Sequence, residues 1–249
     1  MAEIEGHKRR FGLIGRNISY SFSKGYFTEK FRKLNLDTCS YENFDLEEIS
    51  GVSKILTTKG IAGLNVTIPY KEHIIPFLDD LDEDAKSIGA VNTIKFTSEG
   101  TKGFNTDAYG FHNALVPLLS KDSKKALILG TGGASKAIVF VLSQLGIEHQ
   151  YVSRSPVNGQ LGYTQLDKSI LEEHLLIINC SPVGTHPNIN DKPSLPYEHI
   201  GKHHLLFDLI YNPEVTAFLK EGKKRGARIQ NGLSMLEFQA EEAWRIWNE

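Results

Sequence analysis

The chain has 249 residues, with 28 Lys and Arg against 30 Asp and Glu for a formal charge of −2, which excludes the strongly positive footprint of a nucleic-acid or polybasic membrane binder. A composition that is 40% apolar and 23% charged, with 9 Pro, excludes a disordered tract. Two cysteines, Cys39 and Cys180, exclude a disulfide framework or a four-cysteine metal site, so a reducing, cytoplasmic setting is expected. No stretch approaches the roughly 18 apolar residues of a membrane span. At roughly 150 residues per domain the length corresponds to one large or two small domains.

In chain order, an apolar run predicts a first strand over residues 10–14, then a helix over 25–34 and an extended stretch over 63–68. This half reads as a small α/β unit. Ser21 and Ser23 follow the first strand, two residues apart, where two hydroxyls can converge on one acceptor such as a carboxylate; loop or N-cap serines would look the same. The segment from Gly63 to Lys71 alternates strictly. If extended, it sends Asn65, Thr67 and Lys71 to one side and Val66, Ile68 and Tyr70 to the other, although a half-exposed edge strand shows the same pattern. Asn92 and Asp107 fall in polar turns, where turn geometry alone favours them.

A boundary is expected at the polar stretch 120–124, beyond which the pattern changes. Strands are predicted at 125–129, 148–153, 175–179, 205–209 and 227–230, with helices at 135–145, 167–173 and 213–225 between them. Short continuous apolar strands alternating with helices indicate a doubly wound parallel sheet. Leu233, Leu236, Ala240, Ala243 and Trp247 then recur on one helical face, and this last helix is expected to return to the first domain. The resulting division is 1–120 plus 233–249 as one domain and 121–232 as the other.

The first strand of the second half runs directly into Gly130, Thr131, Gly132, Gly133, Ala134 and Ser135 and then a helix. Glycines in that setting let backbone N–H groups and the helix N-terminus approach a pyrophosphate. The next strand ends at Ser153, Arg154 and Ser155, without the acid that would accept from a ribose 2′-hydroxyl. An arginine between hydroxyls suits a 2′-phosphate, so NADP(H) is the expected cofactor. A lysine, an aspartate and several amide and hydroxyl groups in one half, with a nicotinamide site in the other, suit hydride transfer between carbonyl and alcohol. No metal site is expected: His199 and His203, at helical spacing, lack the acid between them that a zinc helix carries.

The ordered motifs Tyr20-Ser-Phe-Ser-Lys24, Asn65-Val-Thr-Ile-Pro-Tyr-Lys71, Gly89-Ala-Val-Asn-Thr93, Asn105-Thr-Asp107, Gly130 to Ser135, Ser153-Arg-Ser155, Asn179-Cys-Ser-Pro-Val-Gly184, Asp208-Leu-Ile-Tyr211 and Asn231 to Gln239 resemble the shikimate dehydrogenase family over nearly the whole chain. The resemblance implies an N-terminal α/β substrate domain, a Rossmann-type NADP-binding domain, and reduction of 3-dehydroshikimate to shikimate. It implies Lys71 and Asp107 at the reacting hydroxyl, and Ser21 and Ser23 on the substrate carboxylate. Asn65, Thr67, Asn92, Tyr211 and Gln239 would line the rest of the substrate site. Gly130 to Ser135 would cradle the pyrophosphate, Ser153 to Ser155 the 2′-phosphate, and Leu209 and Gly232 would flank the nicotinamide. The family's first motif carries His and Pro where this chain has Tyr20 and Lys24. A relative acting on quinate or using NAD, and a non-catalytic NADP-binding regulator, are the alternatives. The small-molecule substrate is the expected partner, with the chain a monomer or homodimer.

Overall fold

The computed structural model describes residues 8–19 and 21–249. Tyr20 of the first motif lies outside the described residues. The chain divides into two compact units, Met1–Thr106 with Ala240–Glu249, and Asp107–Gln239.

The first unit contains β1 (Arg9–Gly15), α1 (Phe22–Lys33), β2 (Cys39–Asp45), α2 (Val52–Leu56), β3 (Ile61–Val66), β4 (Asp80–Leu81), α3 (Glu83–Ile88), β5 (Thr93–Thr97) and β6 (Gly100–Phe104). Its sheet has the order β2-β1-β3-β5-β6-β4. The β1 strand pairs in parallel with β2 and β3, whereas β3, β5 and β6 pair antiparallel. Helix α1 begins earlier than its apolar pattern predicts because Ser21 caps it, its side chain accepting from the Ser23 N–H at 3.2 Å. One apolar layer gathers Ile14, Leu64, Val66 and Ile94; the other gathers Phe11, Leu13, Phe27, Phe31 and Tyr41.

The second layer is completed from the far end of the sequence. The last helix, α8 (Leu233–Asn248), begins in the second unit and delivers Ala240, Ala243 and Trp247 into the first, as its apolar face predicts. Trp247 lies 4.9 Å from Phe11 and 5.2 Å from Phe27 between ring centroids, and its indole N–H donates to the Ile94 carbonyl at 3.0 Å. A side chain at Gly63 would fall inside that indole ring, so glycine is what lets the tryptophan lie on β3.

The second unit runs through α4 (Thr106–Leu115), β7 (Lys125–Leu129), α5 (Gly133–Gln144), β8 (Glu148–Ser153), β9 (Leu161–Gly162), α6 (Lys168–Glu173), β10 (Leu176–Asn179), β11 (Leu205–Asp208), α7 (Ala217–Lys224) and β12 (Arg228–Gln230). Its sheet, β12-β11-β10-β7-β8-β9, is parallel throughout. Counted in chain order this is the doubly wound arrangement, with its topological switch between β7 and β10. Residues of β10 and β11 are buried without interruption, which is why these strands read as continuous apolar runs.

The division falls before the polar stretch 120–124, and α4 explains where the added residues go. Phe111 packs edge-to-face on Phe207 of β11 at 5.2 Å, and the Leu118 carbonyl accepts from Arg228 at 2.7 Å. The backbone of Gly110 lies against Met235 and Gln239 of α8, so residues 233–239 also pack with this unit.

Candidate active site

In the first unit, several of the expected substrate residues share one buried polar network. The Ser23 side chain is hydrogen-bonded to the Tyr41 phenol. The phenol donates to Asn65 Oδ1 at 2.7 Å, and Asn65 Nδ2 donates to the Asn92 carbonyl at 3.2 Å and to Thr93 Oγ1 at 3.1 Å. Asn92 in turn donates from Nδ2 to Thr106 Oγ1 at 3.0 Å and accepts the Thr106 N–H on Oδ1 at 2.7 Å. Burial pushes the Tyr41 phenol far up, so it serves as a neutral relay. Ser23, Asn65 and Asn92 are thus brought together, and Tyr41, Thr93 and Thr106 join them without having been singled out by sequence. Such fully connected buried networks hold each member in one orientation.

The strict alternation expected from Gly63 to Lys71 holds only to the end of β3. Val66 is buried, but Ile68, expected on the same side, is 74% exposed, and Tyr70 is buried again. The Tyr70 N–H donates to the Thr67 carbonyl at 2.9 Å, which makes a turn of residues 67–70, and Pro69 lacks the N–H that a continuing ladder would need. Thr67 is tied by its own N–H to the Ile14 carbonyl at 2.8 Å. Lys71 follows the turn, half-buried, with its carbonyl accepting the Val91 N–H at 2.7 Å. Lys71 therefore owes its place to the turn and to residue 91, not to strand periodicity.

In the second unit, five of the predicted nucleotide residues meet at the switch between β7 and β10. A cavity of about 260 Å³ is lined by Gly130, Thr131, Gly132, Ser153 and Arg154, joined by Ser181 from the segment after β10. Gly130 has φ +102°, a conformation that favours glycine, and a Cβ there would press on Ser181 at 3.2 Å. Gly132 has an ordinary φ of −75° and open space where a Cβ would stand. The fold itself does not demand glycine at 132. What the missing side chain preserves is an exposed N-terminus of α5 with no side-chain cap, the arrangement that receives phosphate.

Ser135 is fully buried and faces the turn: its hydroxyl donates to the Gly132 carbonyl at 2.7 Å, bracing the loop from within. Ser153 Oγ accepts the Ser155 N–H at 3.2 Å, a local staple that leaves the exposed Arg154 between them. Among the described residues no carboxylate lines the cavity, and Arg154 is the only cationic one that does. The cofactor's negative charges therefore fit the groups present. Val152, Tyr163, Cys180, Pro182 and Val183 complete the lining without having been predicted. Burial raises the Tyr163 phenol, opposed by the Arg154 charge, and pushes the Cys180 thiol up strongly, so Cys180 is a neutral wall residue.

The remaining expected residues of the second unit lie after β11, before and within α8, and in the first turn of α4. The Leu209 N–H donates to the Asn179 carbonyl at 3.0 Å, and Gly232 lies with its backbone against the Leu209 carbonyl, so the two residues are adjacent. Tyr211 is half-buried after β11. Asp107 is buried in the first turn of α4. Gln239 is buried on α8, its amide donating to the Leu236 carbonyl at 2.9 Å, the backbone partner that a core glutamine uses. Among the described residues no helix is long and apolar enough to cross a membrane.

Residues 13–94 match the family model described as the shikimate dehydrogenase substrate binding domain. The NADP(+) shikimate dehydrogenase of Caldanaerobacter subterraneus is 36% identical over 98% of this chain and 93% of its own length. The corresponding enzyme of Staphylococcus epidermidis is 38% identical over 96% of this chain and 91% of its own. Among solved structures, the shikimate 5-dehydrogenase of Thermus thermophilus in complex with NADP(H) and shikimate superposes with a TM-score of 0.85 at 32% identity, covering 96% of this chain and 93% of that one. With near-complete coverage at these identities, and with the doubly wound order and the open glycine turn in place, the chain belongs to the shikimate dehydrogenase family.

Proposed function

We propose that this protein catalyses the reversible NADP(H)-dependent reduction of 3-dehydroshikimate to shikimate. The observation that carries the cofactor reading is the cavity at the switch point: an open glycine turn and Arg154 share it, and no acid among the described residues lines it. When bound, the dinucleotide supplies a hydride from its nicotinamide ring. The protein's part is to bind, orient and move one proton. Lys71 and Asp107 act at the reacting hydroxyl. The lysine ammonium stabilises charge developing on the carbonyl oxygen, and the pair exchanges the hydroxyl proton as one coupled unit. Ser21 and Ser23 hold the substrate carboxylate, and Asn65, Thr67, Asn92, Tyr211 and Gln239 bind the ring hydroxyls. Residues 130–135 take the pyrophosphate, with Ser135 acting from behind the loop. Ser153, Arg154 and Ser155 take the 2′-phosphate, and Leu209 and Gly232 flank the nicotinamide. The working division is residues 1–120 with 233–249 for substrate and 121–232 for cofactor, shifted by α4 and the start of α8 in the compact units above. We place the enzyme in the cytoplasm, as a monomer or homodimer, which sedimentation distinguishes.

The test is absorbance at the reduced-nicotinamide band with shikimate or quinate, each offered NADP or NAD. Turnover with shikimate and NADP should exceed every other pairing by about tenfold or more, the equivalent of one charge-assisted hydrogen bond. Efficient use of quinate or NAD moves the protein to the broader branch of the family. Absence of turnover with every pair overturns the reading in favour of a binding module.

A further inference from the structure

Asp208 ends β11 fully buried, and its partners among the described residues are all neutral. Asn179 Nδ2 donates to it at 3.0 Å, the Ile210 N–H at 3.1 Å, and the Thr216 hydroxyl at 2.6 Å. Desolvation raises its carboxyl to about 6 in spite of these three donors. A buried carboxylate without a cation is a poor source of stability, because its desolvation cost exceeds what neutral hydrogen bonds return. Its retention needs another reason, and its partners supply one. Asn179 passes the constraint on: its Oδ1 accepts from both the Ser181 N–H, at 3.1 Å, and the Ser181 hydroxyl, at 2.6 Å. Ser181 is the residue that a Cβ at Gly130 would meet, at 3.2 Å, across the switch point. Ile210, held from the other carboxylate contact, lies between Leu209 and Tyr211.

From this geometry we infer that Asp208 is a positioning residue of the nucleotide site, setting through Asn179 the segment 181–183 that walls the cavity opposite the glycine turn, and through Ile210 the start of the 209–211 segment. The inference rests on the NADP(H) reading above. It assigns Asp208 no contact with cofactor or substrate.

The test is NADPH affinity by nucleotide fluorescence, with steady-state kinetics, on the full chain. Asp208→Ala removes all three acceptor contacts and should weaken NADPH binding about tenfold, raising KM for NADP while kcat at saturating NADP stays within about threefold. Asp208→Asn keeps an oxygen for Asn179 and Ile210 and presents its amide to the Thr216 hydroxyl, so it should restore affinity to within about threefold of wild type. Thr216 does not line the cavity; its hydroxyl donates to Asp208 and caps α7 by accepting the Leu219 N–H at 3.3 Å, so Thr216→Val should lower stability through the lost cap and raise the Kd about threefold through Asp208, and its affinity decides the matter if Asp208→Ala does not fold. NADPH affinity within twofold of wild type in every folded variant, or a loss of thermal stability with no change in affinity, overturns the inference. Wild-type turnover separates the two readings. A wild type that binds NADPH but turns over no substrate defeats the proposed reaction and leaves this inference testable, whereas an active wild type with unaffected variants defeats this inference alone.

Discussion

The two units build their sites from different materials. In the second, the candidate nucleotide cavity brings together a glycine turn, a helix start without a side-chain cap and a hydroxyl-stapled loop, all at the ends of parallel strands. In the first, the expected substrate residues are fixed by side chains bonded to other side chains, from Ser23 through Tyr41 and Asn65 to Asn92 and Thr106. A backbone site tolerates most substitutions around it but fails when a Cβ enters. A side-chain network fails when any member loses its partner, because the orphaned groups stay buried.

That contrast can be broken at several points. Lys71→Ala carries the largest expected effect: kcat should fall about 10²- to 10⁴-fold, the usual worth of a general acid or base, with NADPH affinity unchanged. Near-normal turnover in this variant would falsify the assignment of Lys71. Arg154→Ala comes next. Removing one charge-assisted contact should raise KM for NADP by about ten- to a hundredfold and leave KM for NAD and for shikimate alone. Equal losses with NADP and NAD would mean that the arginine does not read the 2′-phosphate. Asn65→Ala should cost about 1–3 kcal/mol of stability, since the Tyr41 hydroxyl loses its acceptor and the Asn92 carbonyl a donor. KM for shikimate should rise and KM for NADP should not; a change confined to NADP would reverse the roles of the two units.

Two smaller effects sharpen the picture. Gly132→Ala has an allowed φ and open space, so its stability should stay within about 0.5 kcal/mol of wild type, while the new methyl in the phosphate cradle weakens NADPH binding about tenfold. Unchanged affinity would show that the open space at 132 is not the cradle. The last prediction concerns pH. Because the folded-state carboxyl of Asp208 is raised to about 6, its contribution to stability is fully present below the ordinary carboxylate range and is lost as pH rises through about 6. The charge is felt by the Cys180 thiol and the Tyr197 phenol, both themselves raised by burial. Melting temperatures compared between wild type and Asp208→Asn should therefore diverge in favour of the variant as pH climbs through that window. Parallel curves would contradict the raised carboxyl.

The same contrast explains how much could be read from sequence. The β7–α5 turn and the β7, β8, β10 and β11 strands were legible because each is a local apolar run followed by its own punctuation, and the Gly130 to Ser135 motif needs no distant partner. The two-residue β9 strand is too short to leave a pattern. In the first unit, β2 reads Cys-Ser-Tyr-Glu-Asn-Phe-Asp and passes for a loop, although it supplies Tyr41. The alternation through residues 63–71 promised a longer strand than the turn at 67–70 allows. Tyr41, Asn65 and Thr93 are joined across three strands, β2, β3 and β5, and nothing in their spacing along the chain announces the contact. For the site as a whole, sequence named the residues proposed to carry chemistry, while the bonds that tie Tyr41 and Thr93 to Asn65, and Asp208 to Asn179, emerge only once the strands are assembled.

The passage of α8 between the units has a consequence for the order of events during synthesis. Trp247, Ala243 and Ala240 complete the apolar layer built on Phe11 and Phe27, yet they are translated after the whole of residues 107–239. Residues 107–239 are contiguous and can condense as soon as they clear the ribosome, as domains emerging during translation generally do. The N-terminal unit emerges first but has an unfilled aromatic layer until the final turns of α8 arrive. The earlier-made unit is therefore the later to mature, and a chain arrested before residue 240 would present Phe11, Phe27 and Gly63 to solvent and to quality control.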